Sequence, residues 1–163
     1  MKSAPLLLRR WWWSKFWVSL IPLLFFGELL VIVTNHFLQV SPFMALLAPI
    51  TLFFLSFAIV ALGMALGIAY PNFTAEHSAK IAASFGGVLY MVLSISFIGI
   101  VVVLEAQAVR LLTLQELRFL TLSTVDWQAM GVAFALALTL SVAVFWWSAR
   151  WSITRLEAME ISL

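Results

Sequence analysis

"PFMALLAPITLFFLSFAIVALGMALGIA", residues 42 to 69, contains no charged side chain. A helix that crosses the hydrocarbon core of a bilayer needs about 20 consecutive apolar residues, and this run exceeds that length. A lone strand could not satisfy its backbone in lipid, whereas a helix bonds its interior N–H and C=O groups within itself. The stretch therefore reads as a transmembrane helix. Outward from it, three further runs read the same way. They are Phe16 to Val40, interrupted only by Glu28 and the polar patch Thr34, Asn35 and His36; Ile81 to Val103; and Trp127 to Trp147.

The composition agrees. The chain has 163 residues, 64% of them hydrophobic and only 10% charged, with a mean hydropathy of +1.11. A soluble domain carries about 25% charged residues, so this chain cannot coat a water-facing surface and lipid is the solvent for most of it. The expected fold class is an all-α integral membrane protein. Its single helical domain, residues 1–163, has four spans at 16–40, 42–69, 81–103 and 127–147. With no cysteine, disulfides and thiolate metal sites are excluded, and two distant histidines, His36 and His77, argue against a metal site. The net charge of +2 gives no reason to expect nucleic acid.

The placement of basic residues sets an orientation. Lys2, Arg9, Arg10 and Lys15 precede the first span, Lys80 lies between the second and third, and Arg150 and Arg155 follow the fourth. Four crossings put all of these at one face. The other face has only Arg110 and Arg118, offset by Glu105, Glu116 and Asp126. Both termini and the polar loop 70–80 are therefore expected to be cytoplasmic. Trp11, Trp12, Trp13 and Trp17, with Trp146, Trp147 and Trp151, read as an aromatic belt of lipid anchors at that face, and Trp127 stands alone at the other. The N-terminus lacks the cleavage pattern of a signal peptide, so the first span is expected to stay in the membrane.

The turn between the first two spans is only "VSPF", residues 40–43, which makes those helices antiparallel neighbours. In the loop 70–80, Pro71 closes the preceding helix, and Thr74 with Glu76 and His77 offers a cap for the next. The sequon at Asn72 is inert on a cytoplasmic face. The outer connection, residues 105–126, is too long for a structureless loop and too short to cross. It reads as one or two short helices, interfacial or re-entrant, before the last span.

Few residues carry chemistry. Glu28 is the ionisable residue well inside a span, where a charge costs a few kcal/mol, and it is a functional candidate or a packing residue paired with Asn35 or His36. Gly63 and Gly67 form G-x-x-x-G, and Gly86 and Gly87 repeat small-xxx-small spacing with Ala82 and Ala83. Such faces let helix backbones approach closely. There is no G-x-x-x-x-G-K-[ST] loop, no H-E-x-x-H, and a single Asp. These absences predict a chain that is not an enzyme and binds no cofactor itself.

"WWSKFWVSLIPLLFFGELLVIVTN", the 41–73 segment ending "IAYPNF", and "AKIAASFGGVLYMVLS", in that order, resemble the permease region of bacterial ABC exporters of the ABC-2 type. The likeness runs from about Trp11 to Trp147. It implies that the four spans match the last four of a six-span permease, the first two having no counterpart here. It further implies a permease subunit, or half-permease, in the bacterial cytoplasmic (inner) membrane. A separate ATPase chain would dock on Tyr70, Pro71, Asn72, Phe73, Glu76 and Lys80, and ATP would be reached only through that nucleotide-binding partner. A second permease copy or other membrane subunits would complete the assembly. The alternative is a non-catalytic structural or assembly subunit of a larger membrane complex, held through the Gly63/Gly67 face.

Overall fold

The computed structural model describes residues 4–70, 84–118 and 124–161. They form four helices: α1 (Ala4–Leu38), α2 (Pro42–Ala69), α3 (Phe85–Arg118) and α4 (Thr124–Ile161). Each holds a segment long and apolar enough to cross a membrane: Arg9–Leu38, Pro42–Ala69, Phe85–Ala106 and Gln128–Ala158.

Local chemistry sets the helix ends. Gln39, just past α1, adopts φ +46°, the left-handed conformation that terminates helices. Ser41 is extended (φ −57°, ψ 150°), and Pro42 then starts α2 at a position where no N–H is required. At the other end, the Tyr70 N–H closes the last turn on the Leu66 carbonyl at 3.0 Å. Pro71, next in sequence, disfavours a helical Tyr70, which takes φ −126°, ψ 64°.

Two prolines lie inside helices, Pro22 in α1 and Pro49 in α2. Pro49 has no N–H to give the carbonyl four residues back, that of Ala45. Asn35 of α1 supplies the missing donor: its Nδ2 lies 3.4 Å from the Ala45 oxygen. In lipid no water can do this, so a proline inside a span needs such a partner. The same bond fastens the α1–α2 hairpin. Asn35 therefore serves Ala45 and not Glu28, the partner its spacing suggests.

α2 is the central helix. It packs on α1, α3 and α4, whereas α1 and α3 do not meet among the described residues. One core joins Trp12, Phe16 and Leu20 of α1 to Val60 and Ala61 of α2 and Ala149 of α4. At its centre Trp12 stacks on Phe16 at 5.3 Å, and Phe16 meets Phe57 and Phe145, both at 5.7 Å. A second core sets Ala58 of α2 and Ala137 of α4 against Phe97 and Val101 of α3. The buried positions of α2 and α4 are mostly small: Ser56, Ala58, Ala61 and Ala65 against Ala137, Ser141, Ser148, Ala149 and Ser152. Small residues at these positions let the helix backbones approach closely.

Large apolar side chains point outward from most of the bundle, among them Phe25, Phe26, Leu30 and Phe37 of α1 and Ile95 and Val103 of α3. Contiguous exposure of this kind suits contact with acyl chains and not with water.

Two expectations are corrected. The outer connection is not a set of separate short helices as far as Arg118, because α3 continues unbroken through Glu105 to that residue. The belt reading also fails for Trp12, which is fully buried in the first core, while Trp11, Trp17, Trp146 and Trp147 are exposed.

Candidate functional site

Consecutive residues of a helix point about 100° apart, so Thr51 and Leu52 of α2 address different neighbours. The Thr51 hydroxyl donates to Glu105 Oε1 of α3 at 2.5 Å. Leu52 turns to α1, where its Cδ2 lies 3.0 Å from the place a methyl on Gly27 would occupy. Glu28 follows directly in sequence. Glu28 and Glu105, both partly buried, thus belong to the turns of α1 and α3 that meet α2 at Thr51 and Leu52. Nine residues separate that level from Pro42, or about 14 Å at 1.5 Å per residue, roughly half of a 30 Å hydrocarbon core.

No Lys or Arg occurs between Lys15 and Lys80, so neither α2 nor the rest of α1 offers a cation at this level. Glu28 forms no hydrogen bond or ion pair among the described residues. Glu105 has the Thr51 hydroxyl. An intramembrane carboxyl is costly and marks a site by default. The arrangement can accept hydrogen bonds or a proton. Among the described residues no group of three or more His, Cys, Asp or Glu stands ready for a metal.

Glu28 is legible in the sequence as a carboxyl within a span, whereas Glu105 reads there as part of the outer connection. The available signals were its place directly after an apolar run ending at Leu104, and the polar Thr51 in a span without charge.

The glycines have separate settings. A methyl on Gly63 would sit 3.2 Å from Tyr90 Cε2, so Gly63 makes room for α3, while a methyl on Gly67 would meet nothing within 4 Å among the described residues. The two do not form one contact face within the chain. A methyl on Gly86 would fall 2.9 Å from Tyr70 Cβ, and the Tyr70 ring meets Phe85 edge-on at 5.1 Å. The Gly87 N–H donates to Ser84 Oγ at 3.3 Å, within the first turn of α3. The ends of α2 and α3 are thereby clamped together. Of the loop residues singled out, Tyr70 lies at this clamp. Pro71, Asn72, Phe73, Thr74, Glu76, His77 and Lys80 lie outside the described residues, as do Ala82 and Ala83.

A family model described as "Putative ATP-binding cassette" matches residues 1–161. No curated protein and no solved structure matches the chain. The family description overturns the assignment of the chain to the permease region of ABC-2 type exporters, and with it the function of permease subunit: it names a cassette, not a permease. It likewise overturns the expectations of a non-enzyme and of ATP reached only through a partner, because it places ATP with the family itself and points to an ATPase-type role. The chain still has no G-x-x-x-x-G-K-[ST] run, so nucleotide contact by its own residues does not use that loop. With 161 of its 163 residues matched, the chain belongs to the family described as "Putative ATP-binding cassette".

Proposed function

We propose that this chain is a membrane-embedded member of an ATP-binding cassette transporter assembly, and that its work is coupled to ATP. One observation carries the reading. The family match covers residues 1–161, and the same residues hold the four helices long and apolar enough to span a bilayer. The family relationship is thus a relationship of the helical unit itself.

In this reading the host membrane is the bacterial inner membrane, and the termini and the Tyr70–Lys80 loop face the cytoplasm. Seven of the nine basic residues at that end support the orientation. The other subunits of the assembly meet the bundle at that face, around Tyr70, Pro71, Asn72, Phe73, Glu76 and Lys80. The outward-facing Gly67 leaves a place where a neighbouring helix, including one from a second copy, approaches closely. Motion at the Tyr70–Phe85 clamp is carried along α2 and α3 to Thr51 and Glu105, because α2 touches every other helix.

The test uses the full chain, tagged and isolated in mild detergent with whatever accompanies it. The expected result is vanadate-sensitive ATP turnover in that material, falling when the chain is omitted from the source cells. Material that neither binds nor hydrolyses ATP overturns the reading.

A further inference from the structure

Two rows of side chains run down α1 from its basic end. Arg9, Trp13 and Trp17 are spaced by four residues, and Arg10 and Ser14 lie beside them. Residues four apart are neighbours on a helix surface, and these five line one open groove. Its aromatic wall is held in place from behind. Trp13 meets Trp12 edge-on at 5.2 Å and Phe16 at 5.7 Å, and Trp17 meets Phe57 at 6.2 Å. The first row continues past Trp17 to the exposed Ile21 and Phe25.

The cations at this end of the bundle differ in their engagement. The Arg150 guanidinium lies 4.6 Å from the Trp146 ring centre, Arg155 lies 5.1 Å from Trp151, and Lys15 lies 5.9 Å from Trp11. Arg9 and Arg10 are exposed and form no ion pair among the described residues. Glu157 of α4 is also exposed and forms no ion pair with them.

We propose that this groove binds the headgroup of an anionic phospholipid from the surrounding bilayer. The order along the row is guanidinium, indole, then aliphatic and aromatic surface, which matches phosphate, glycerol ester and acyl chain. Charge complementarity selects an anionic lipid, since two guanidiniums with no ion pair among the described residues flank the polar end and the wall below is apolar. Planar guanidinium groups suit phosphate oxygens, and basic pockets on membrane helices recognise such headgroups. The inference stands on the groove alone and does not depend on the ATP-coupled role.

The experiment titrates the delipidated full chain in detergent with phosphatidylglycerol or phosphatidylcholine and reads bound lipid by native mass spectrometry. Phosphatidylglycerol is expected to bind in preference. Arg9→Gln and Arg10→Gln should each weaken it about fivefold, from roughly 1 kcal/mol per basic residue. Arg150→Gln with Arg155→Gln should change it less than twofold. Ser14→Trp, which fills the groove and keeps both arginines, should weaken it as the arginine variants do, with helical circular dichroism unchanged. Three results overturn the proposal: equal binding of phosphatidylcholine, an equal loss from the Arg150/Arg155 pair, which would mean diffuse attraction, or displacement by inorganic phosphate at matching concentration, which would mean a site for free anions.

Discussion

At the scale of single residues, a few polar contacts tie the apolar helices of this bundle together. Asn35 is the clearest. It pairs with a carbonyl that exists unpaired only because Pro49 stands four residues later. Asn35→Leu should lower stability by about 1–3 kcal/mol, the cost of an unsatisfied buried polar group. Adding Pro49→Ala restores a backbone donor to Ala45 and should recover most of that loss. Equilibrium unfolding of the four proteins in mixed micelles checks the cycle, and additive losses would contradict the account. For the Thr51–Glu105 pair, Thr51→Val should cost about 0.6 kcal/mol and at most about 1.7, the range of interhelical hydrogen bonds in membranes. Glu105→Gln keeps an acceptor for the Thr51 hydroxyl and should cost less than Glu105→Leu. Neither contact is written in hydropathy. An apolar window ends where charges begin, so a carboxylate satisfied by another helix looks like the end of a span. A run of three tryptophans looks like an interface until packing shows Trp12 sealed among Phe16, Ala149 and Val60.

At the scale of helices, the charge-free run 42–69 and the short turn before it were legible, because length, apolarity and the Pro42 start all act locally. The course of α3 was not. Residues 105–118 mix Leu with Arg and Glu, a pattern equally suited to an interfacial helix and to a continuation of a spanning one, and only the folded chain shows the continuation. The G-x-x-x-G spacing likewise named two glycines without saying that they face different surroundings. Gly63→Leu should force α3 away at Tyr90 and destabilise the bundle by about 1–3 kcal/mol, the usual cost of overpacking. Tyr90→Ala should offset part of it by opening space. A methyl on Gly67 meets nothing within 4 Å among the described residues, so Gly67→Leu should leave the isolated protein folded and disturb contacts with other subunits. Thermal unfolding in detergent separates the first two effects, and native mass spectrometry of the assembly reads the third.

At the scale of the whole molecule, a chain that is 64% hydrophobic and 10% charged folds into four helices long and apolar enough to cross a membrane, with α2 at their centre. What composition cannot dictate is the chemistry the bundle serves. Hydropathy and small-residue spacing report the solvent and the packing, and they are silent on nucleotide. The residues around Tyr70–Tyr90 carried a resemblance that pointed to a permease with ATP held elsewhere, and the family match corrects that component. The role proposed for this chain requires its helices to cross the membrane four times. Because the chain has no cysteine, single cysteines can be placed at Ser3, Ser41, Lys80, Ser123 and Ser162 and probed with an impermeant maleimide in oriented vesicles. Labelling is expected at 3, 80 and 162 from the cytoplasmic side, and at 41 and 123 from the opposite side only. Labelling of position 41 from the same side as positions 3 and 80 would contradict the four crossings.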